Sequence, residues 1–322
     1  MHSIVGDPDM IERITCVGSG LIGHSWATLF AMKGYSVTIQ DVDKKLLREA
    51  IKRVQSNLRL LAEEQVIPEP SIKEALGRIS ATTSLVDSVR DADYVQESVT
   101  ERYEVKKPIF KEMDRHAPEG TPLVSSSSGL LMTEIQKATE RPERCVTAHP
   151  FNPPHIVPLV EIVPGEETSR KTIEIVRDFM ERIGKTPVIL KKEVPGYLAN
   201  RLSAALWREA VDLLDRGVAS AEDIDKAISY GPGIRWSIMG PYLTYHLGGG
   251  PGGIESYLKQ FAPAVTDWLR DMNTWTSIPE TAFPKIIKGV REMTTLQKRS
   301  IGEVVEWRDR KLIRILRTIQ ER

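Results

Sequence analysis

Two side chains with complementary acid–base chemistry stand close together in this sequence. His149 lies in Ala148-His-Pro-Phe-Asn-Pro153, and Glu161 closes Leu159-Val-Glu161. An imidazole exchanges a proton near neutral pH, and a carboxylate on its far nitrogen fixes the tautomer and steadies the imidazolium. A carbinol being oxidised needs such a base for its hydroxyl proton, together with an acceptor for its hydride.

The acceptor is suggested upstream. Ile14-Thr-Cys-Val17 runs directly into Gly18-Ser-Gly20-Leu21-Ile22-Gly23 and then into a helical pattern from Ser25. Glycines at that spacing gain meaning from a preceding strand and a following helix. Gly18 permits a tight turn, Gly20 lets backbone approach a pyrophosphate, and Gly23 allows close helix–strand packing. The helix N-terminus offers free N–H groups to phosphates. Asp41, 18 residues beyond Gly23 and flanked by Gln40 and Val42, would bind ribose hydroxyls and repel a 2′-phosphate. The expected cofactor is therefore NAD.

Other chemistries fit less well. His149 and His155 are six apart with prolines between them, and neither cysteine belongs to a C-x-x-C, so no metal site is expected. Ser128 lacks the leading glycine of a nucleophile elbow, and the run Ser125–Ser128 before Gly129 reads equally as a polar turn.

Positioning these residues requires a sheet. Strand-like runs cover Ile14–Val17, Ser36–Gln40, Tyr94–Gln96, Leu123–Ser125, Cys145–Ala148, Leu159–Val163 and Pro187–Leu190. Helical stretches at Ser25–Lys33, Lys44–Glu64, Val105–Arg115 and Lys171–Ile183 alternate with them. That order predicts an α/β, Rossmann-type dinucleotide-binding domain with a mostly parallel sheet. Pro195–Gly196 breaks the alternation, and amphipathic stretches at Leu198–Leu214, Ala221–Ser229, Ile254–Phe261 and Ile301–Ile319 follow. The expected division is a cofactor domain over 1–193 and an all-α domain over 194–322.

Composition sets outer bounds. The 322 residues carry 44 Lys+Arg against 44 Asp+Glu, which gives no footprint for nucleic acid or an anionic membrane. No apolar run approaches a membrane span, and the stretch to Arg13 lacks an apolar signal core. Cys16 and Cys145 lie in separate strand-like runs and read as reduced, buried thiols, as in a cytoplasmic protein.

Taken together, Gly18–Gly23, Ser125-Ser-Ser-Ser-Gly-Leu130, His149-Pro-Phe-Asn-Pro153, Leu159-Val-Glu161 and Val194-Pro-Gly-Tyr-Leu-Ala-Asn-Arg201 resemble the L-3-hydroxyacyl-CoA dehydrogenase superfamily. The resemblance implies His149 as catalytic base, Glu161 as its partner, and Ser128 and Asn200 as holders of the substrate oxygens. It also places Glu101, Lys106 and Asn152 at the ribose and nicotinamide portion of NAD, and implies a homodimer. The segments Gly231-Pro-Gly-Ile-Arg-Trp236 and Met239-Gly-Pro-Tyr-Leu-Thr-Tyr245 resemble its L-carnitine dehydrogenase and L-gulonate 3-dehydrogenase (lambda-crystallin) branch. Asn57 and Glu64 stand where the acyl-CoA enzymes present a serine and a lysine to CoA, and a carboxylate suits CoA phosphates poorly.

The reaction so implied is NAD-dependent oxidation of the 3-hydroxyl of a short L-3-hydroxy acid, foremost L-carnitine. L-Gulonate, 3-hydroxybutyryl-CoA and a non-catalytic, crystallin-like NADH binder are the alternatives. A trimethylammonium donates no hydrogen bond, so aromatic faces must hold it. Phe151, Trp236, Tyr242 and Tyr245 are candidates, although such rings also serve as helix core, and Arg235 could pair with the carboxylate. His246 reads as a structural histidine.

Overall fold

The computed structural model describes residues 11–297 and 299–320, so residues 1–10 of the stretch examined for a signal lie outside the described residues. The chain divides into two compact units between Asn200 and Arg201.

The first unit is built on one eight-stranded sheet. Its strands are β1 (Arg13–Val17), β2 (Ser36–Gln40), β3 (Ile79–Thr82), β4 (Tyr94–Glu97), β5 (Leu123–Ser125), β6 (Cys145–Pro150), β7 (Leu159–Pro164) and β8 (Thr186–Ile189). They lie in the order β3-β2-β1-β4-β5-β6-β7-β8, all parallel except the β6–β7 pair. The helices are α1 (Leu21–Met32), α2 (Lys44–Glu63), α3 (Ser71–Gly77), α4 (Leu85–Val89), α5 (Tyr103–His116), α6 (Met132–Gln136) and α7 (Arg170–Arg182). The chain reverses its direction of winding between β1 and β4, which opens a crevice at their carboxyl ends, the place where ligands settle in such sheets.

Alternation along β1 explains the two-sided core. Ile14 and Cys16 join one cluster with Trp26 and Phe30 of α1, Leu58 of α2 and Phe179 of α7. Val17 joins the other, with Phe110 of α5 and Ile135 of α6. Because both faces are covered, the central strands read as continuous apolar runs. Helix α1 is buried from Gly23 to Ala31, and Trp26 stacks on Phe30 at 5.3 Å. Strand β3 escaped the sequence reading for a physical reason. It is an edge strand paired only with β2, and Ile-Ser-Ala-Thr offers no apolar run.

The second unit is helical: α8 (Ala199–Asp215, whose first two residues belong to the first unit), α9 (Ala221–Tyr230), α10 (Pro232–Trp236), α11 (Pro241–Gly248), α12 (Gly253–Asp271), α13 (Phe283–Glu292) and α14 (Ile301–Gln320). Segment 194–200, after the Pro195–Gly196 break, lies with the first unit, where Tyr197 clusters with Val163 and Leu190.

Candidate active site

The antiparallel pairing of β6 with β7 sets His149 directly opposite Glu161. Directly opposed residues share a sheet face, and here Nδ1 meets Glu161 Oε2 at 2.8 Å. Both side chains are buried. The carboxylate therefore selects the tautomer that carries the proton on Nδ1, which leaves Nε2 as the basic nitrogen. The second oxygen of Glu161 accepts from the backbone N–H of Leu198 and of Ala199, each at 2.9 Å. Burial works to raise the Glu161 pKa, but the His149 hydrogen bond and those two N–H groups outweigh it and hold the carboxyl below its ordinary range.

Two aromatic rings frame the imidazole: Phe151 at 5.2 Å and Tyr197, edge-on, at 5.5 Å. Tyr197 adopts a left-handed backbone conformation, is fully buried, and donates its hydroxyl to the Leu130 carbonyl at 2.6 Å. In the sequence Tyr197 is visible only as part of Val194-Pro-Gly-Tyr-Leu-Ala-Asn-Arg201, and its positive φ leaves no local signal there.

The polar run Ser126–Leu130 forms the adjoining wall. Gly129 lies so close to Gly196 that a Cβ there would stand 3.3 Å from the Gly196 nitrogen. Asn200 donates its side-chain amide to the Ser128 carbonyl at 2.8 Å, and the Ser128 side chain is exposed. The structure thus joins Asn200 to Ser128 through backbone, in the same wall that Tyr197 ties to His149. Glu101 gathers this run, accepting from Ser127 Oγ at 2.5 Å, Ser128 N at 2.7 Å and Gly129 N at 3.2 Å. Burial pushes the Glu101 pKa up, but the Ser127 hydroxyl, the Lys106 charge and the Ser128 N–H bring it below its ordinary value.

Lys106, which the family resemblance places near the ribose and nicotinamide portion of NAD, is enclosed by carboxylates. Its ammonium meets Glu97 at 2.7 and 3.0 Å and Glu101 at 3.4 Å, and it is 1% exposed. Glu97 was missed. It also accepts from Ser125 Oγ and from the Val99 N–H. The available signal was a carboxylate at the carboxyl end of the strand next to β1. Asn152 is exposed on the loop after β6.

The glycine turn has the form a dinucleotide requires. Gly18 has φ +92°, and a Cβ on it would stand 2.8 Å from the Ser98 carbonyl. A Cβ on Gly23 would stand 1.8 Å from the Gly18 oxygen, whereas one on Gly20 would meet open space. Among the described residues no side chain caps the α1 N-terminus, so its first N–H groups, at exposed Leu21 and half-buried Ile22, are available to an anion. Asp41 is oriented at the end of β2 by Ser19, which donates its N–H at 2.8 Å and its hydroxyl at 2.6 Å. An open glycine, an uncapped helix and an oriented carboxylate fit NAD.

The remaining candidates, Arg235, Trp236, Tyr242 and Tyr245, lie on α10 and α11 of the second unit. Tyr242 is 87% exposed, and Tyr245 stacks on Tyr257 at 4.9 Å, which in turn stacks on Phe261. Among the described residues no ring contact joins Trp236 to Tyr242 or Tyr245. His246 accepts from the Ile254 N–H at 3.2 Å, a structural task near the start of α12. Among the described residues no group of three or more His, Cys, Asp or Glu could hold a metal ion.

A parallel sheet with a glycine-lined crevice, and an imidazole–carboxylate pair at the end of another strand, define a nucleotide-dependent dehydrogenase. Comparison with known proteins makes this specific. Residues 13–194 match the NAD binding domain of 3-hydroxyacyl-CoA dehydrogenase, and residues 196–288 match its C-terminal domain. The chain belongs to the 3-hydroxyacyl-CoA dehydrogenase family and is an NAD-dependent oxidoreductase.

Its curated relatives include L-carnitine dehydrogenase of Nocardiopsis dassonvillei, 35% identical over 98% of this chain and 93% of that protein. L-Carnitine dehydrogenase of Oceanobacillus iheyensis is 36% identical over 97% and 99%. Among solved structures, an NAD-dependent 5-formyl-3-hydroxy-2-methylpyridine 4-carboxylic acid 5-dehydrogenase superposes with a TM-score of 0.82 at 28% identity, covering 97% of this chain and 100% of that one. The (S)-3-hydroxybutyryl-CoA dehydrogenase of Ralstonia eutropha gives 0.66 at 27% identity over 86% and 92%.

Proposed function

We propose that this enzyme oxidises L-carnitine at C3 to 3-dehydrocarnitine, with His149 as the base. The observation that carries the reaction is the buried His149–Glu161 pair, with Nδ1 committed to the carboxylate. The similarity to L-carnitine dehydrogenases over nearly the whole chain carries the choice of substrate. Nε2 takes the hydroxyl proton, and Glu161, kept ionised, steadies the imidazolium that forms. NAD, when bound, supplies the acceptor for the hydride from C3. Gly18, Gly20, Leu21, Ile22, Gly23 and Asp41 would hold it, with Glu101, Lys106 and Asn152 shaping the site near its nicotinamide half. Ser128 and Asn200 would orient the substrate oxygens.

Phe151 offers an aromatic face beside the base for the trimethylammonium, worth about 0.5–2 kcal/mol. Trp236, Tyr242 and Tyr245 are further candidates for that cation, and Arg235 for the carboxylate. The positions that would face CoA favour a small acid instead. Asn57 is turned to Thr28, with its amide 3.2 Å from the hydroxyl, and Glu64 is a buried carboxylate.

The second unit supports a homodimer. Leu202, Trp268 and Ile301 are each more than half exposed, a load of apolar surface that a second copy would cover. Both cysteines are free and buried, as suits the reducing cytoplasm. Among the described residues no helix is long and apolar enough to cross a membrane. NADH formation with L-carnitine, L-gulonate and 3-hydroxybutyryl-CoA tests the assignment. Turnover of either alternative with none of carnitine contradicts the substrate and leaves the reaction intact.

A further inference from the structure

Directly before β8 lies a lysine that the chemistry above leaves unused. Lys185 is buried, yet it forms no ion pair among the described residues. Its Nζ donates to the Pro154 carbonyl and to the Val157 carbonyl, the latter at 2.7 Å, and stands 5.0 Å from the centre of the Trp26 ring. Both carbonyls belong to the loop that leaves β6 just after His149 and carries Phe151 and Asn152. The neighbouring Thr186 N–H bonds the Pro158 carbonyl at the far end of the same loop.

Trp26 belongs to α1, the helix of the glycine turn. Its indole N–H donates to Ser126 Oγ at 3.1 Å, at the root of the wall that carries Ser128. One residue earlier on α1, Ser25 Oγ meets His155 Nδ1 at 2.6 Å and accepts from the His155 N–H at 3.3 Å. A single ammonium therefore sits where the base-bearing loop, the cofactor helix and, through Trp26, the serine wall converge.

We propose that Lys185 is a positioning residue of the dehydrogenase: it fastens the 151–157 loop to α1, so that Phe151 and Asn152 keep a fixed place beside His149. The inference rests on the reading of His149 as the base, but not on which hydroxy acid is oxidised. A buried cation without a counter-charge is a costly way to fill space, since an apolar side chain would fill it without loss of hydration. What lysine adds is donors for two carbonyls that would otherwise be buried without partners. Burial pulls its pKa down to about 7. The neutral amine still carries two N–H groups for two carbonyls, so the loop stays held when the charge is lost. An arginine could not shed its charge in this way. Titratable groups in this region are His155 of the same loop and Lys33, whose Nζ would stand 3.4 Å from a Cβ on Gly184.

The test is Lys185→Met, assayed well below its melting temperature, with folding checked by circular dichroism. The best 3-hydroxy acid found for the wild type serves as substrate. Loss of the clamp is expected to lower kcat at least tenfold, leave the Kd for NADH within about threefold, and speed amide exchange at Ile156 and Val157, whose N–H groups close the turn on Pro153. A folded Lys185→Met enzyme with kcat within twofold of wild type overturns the proposal. If the methionine variant does not fold, Lys185→Leu, which likewise lacks the donors, carries the same measurements. His149→Gln, run alongside, separates the two ideas. Full activity there removes the base assignment, whereas full activity in the Lys185 variant alone removes only the clamp.

Discussion

The two units of this chain solve the burial of apolar surface in opposite ways. In the first, a sheet covered on both faces closes over Trp26, Phe30, Tyr94 and Phe179, all fully buried, and its charged groups inside are paired or hydrogen-bonded. In the second, α9, α10, α11 and α13 contain no buried residue, and Leu202, Trp207, Trp268 and Leu269 stand exposed. The first unit is complete as folded and carries the base and the glycine turn. The second presents helices whose apolar faces call for a further surface, and under the proposed function that surface is a second copy. Chemistry and assembly are thus assigned to different halves, and each half can be perturbed separately.

The largest effect belongs to the first half. His149→Gln should lower kcat by on the order of 10²–10⁴ while NADH fluorescence titration and sedimentation stay as in wild type. A change of oligomeric state in that variant would blur the division of labour. Next, Asp41→Ala should narrow the preference for NAD over NADP, which for wild type is expected to be at least about tenfold in kcat/KM, or ~1.4 kcal/mol. An unchanged ratio removes Asp41 from its assigned place.

From the second half, Trp268→Glu should move the protein toward a monomer in analytical ultracentrifugation, with the Kd for NADH altered by less than about threefold. Its magnitude follows from burying a charge in an apolar interface. A variant that stays dimeric would move the interface off this helix.

The smallest effect is on stability. Because the Glu161 carboxyl is held below its ordinary pKa of 4.5, the folded state favours its charged form. That contribution, ~2 kcal/mol for charge-assisted hydrogen bonds, is complete above pH 4.5 and is lost as pH falls through the lower folded value. The melting temperature of wild type should therefore exceed that of Glu161→Gln at neutral pH, with the gap closing in acid. A gap that persists at low pH would mean the glutamine variant fails for a reason other than charge.

The same contrast explains what could be read in the sequence. Gly18, Gly20 and Gly23 between a strand and a helix, and His149 and Glu161 on successive strands, are local patterns whose geometry follows from short-range rules. Seven of the strands were visible as apolar runs for the same reason. Glu97, Lys106 and Lys185 were not legible as buried groups, since a buried charge looks like a surface charge until the fold places its neighbours beside it. The antiparallel turn of β6 onto β7, which makes His149 face Glu161 directly, left no mark in periodicity either. In the second unit the helices could be read from their amphipathic pattern. What their apolar faces meet could not be, because the answer lies outside a single chain.

In the proposed reaction a hydride leaves C3 of carnitine for NAD. L-Carnitine deuterated at C3, incubated with the enzyme and NAD, tests this in one experiment read by mass spectrometry of the reduced cofactor. Oxidation at C3 should place one deuterium in each NADH formed, together with a slower turnover wherever C–H cleavage limits the rate. Reduced cofactor without deuterium, or no reduction while another 3-hydroxy acid is turned over, would contradict it.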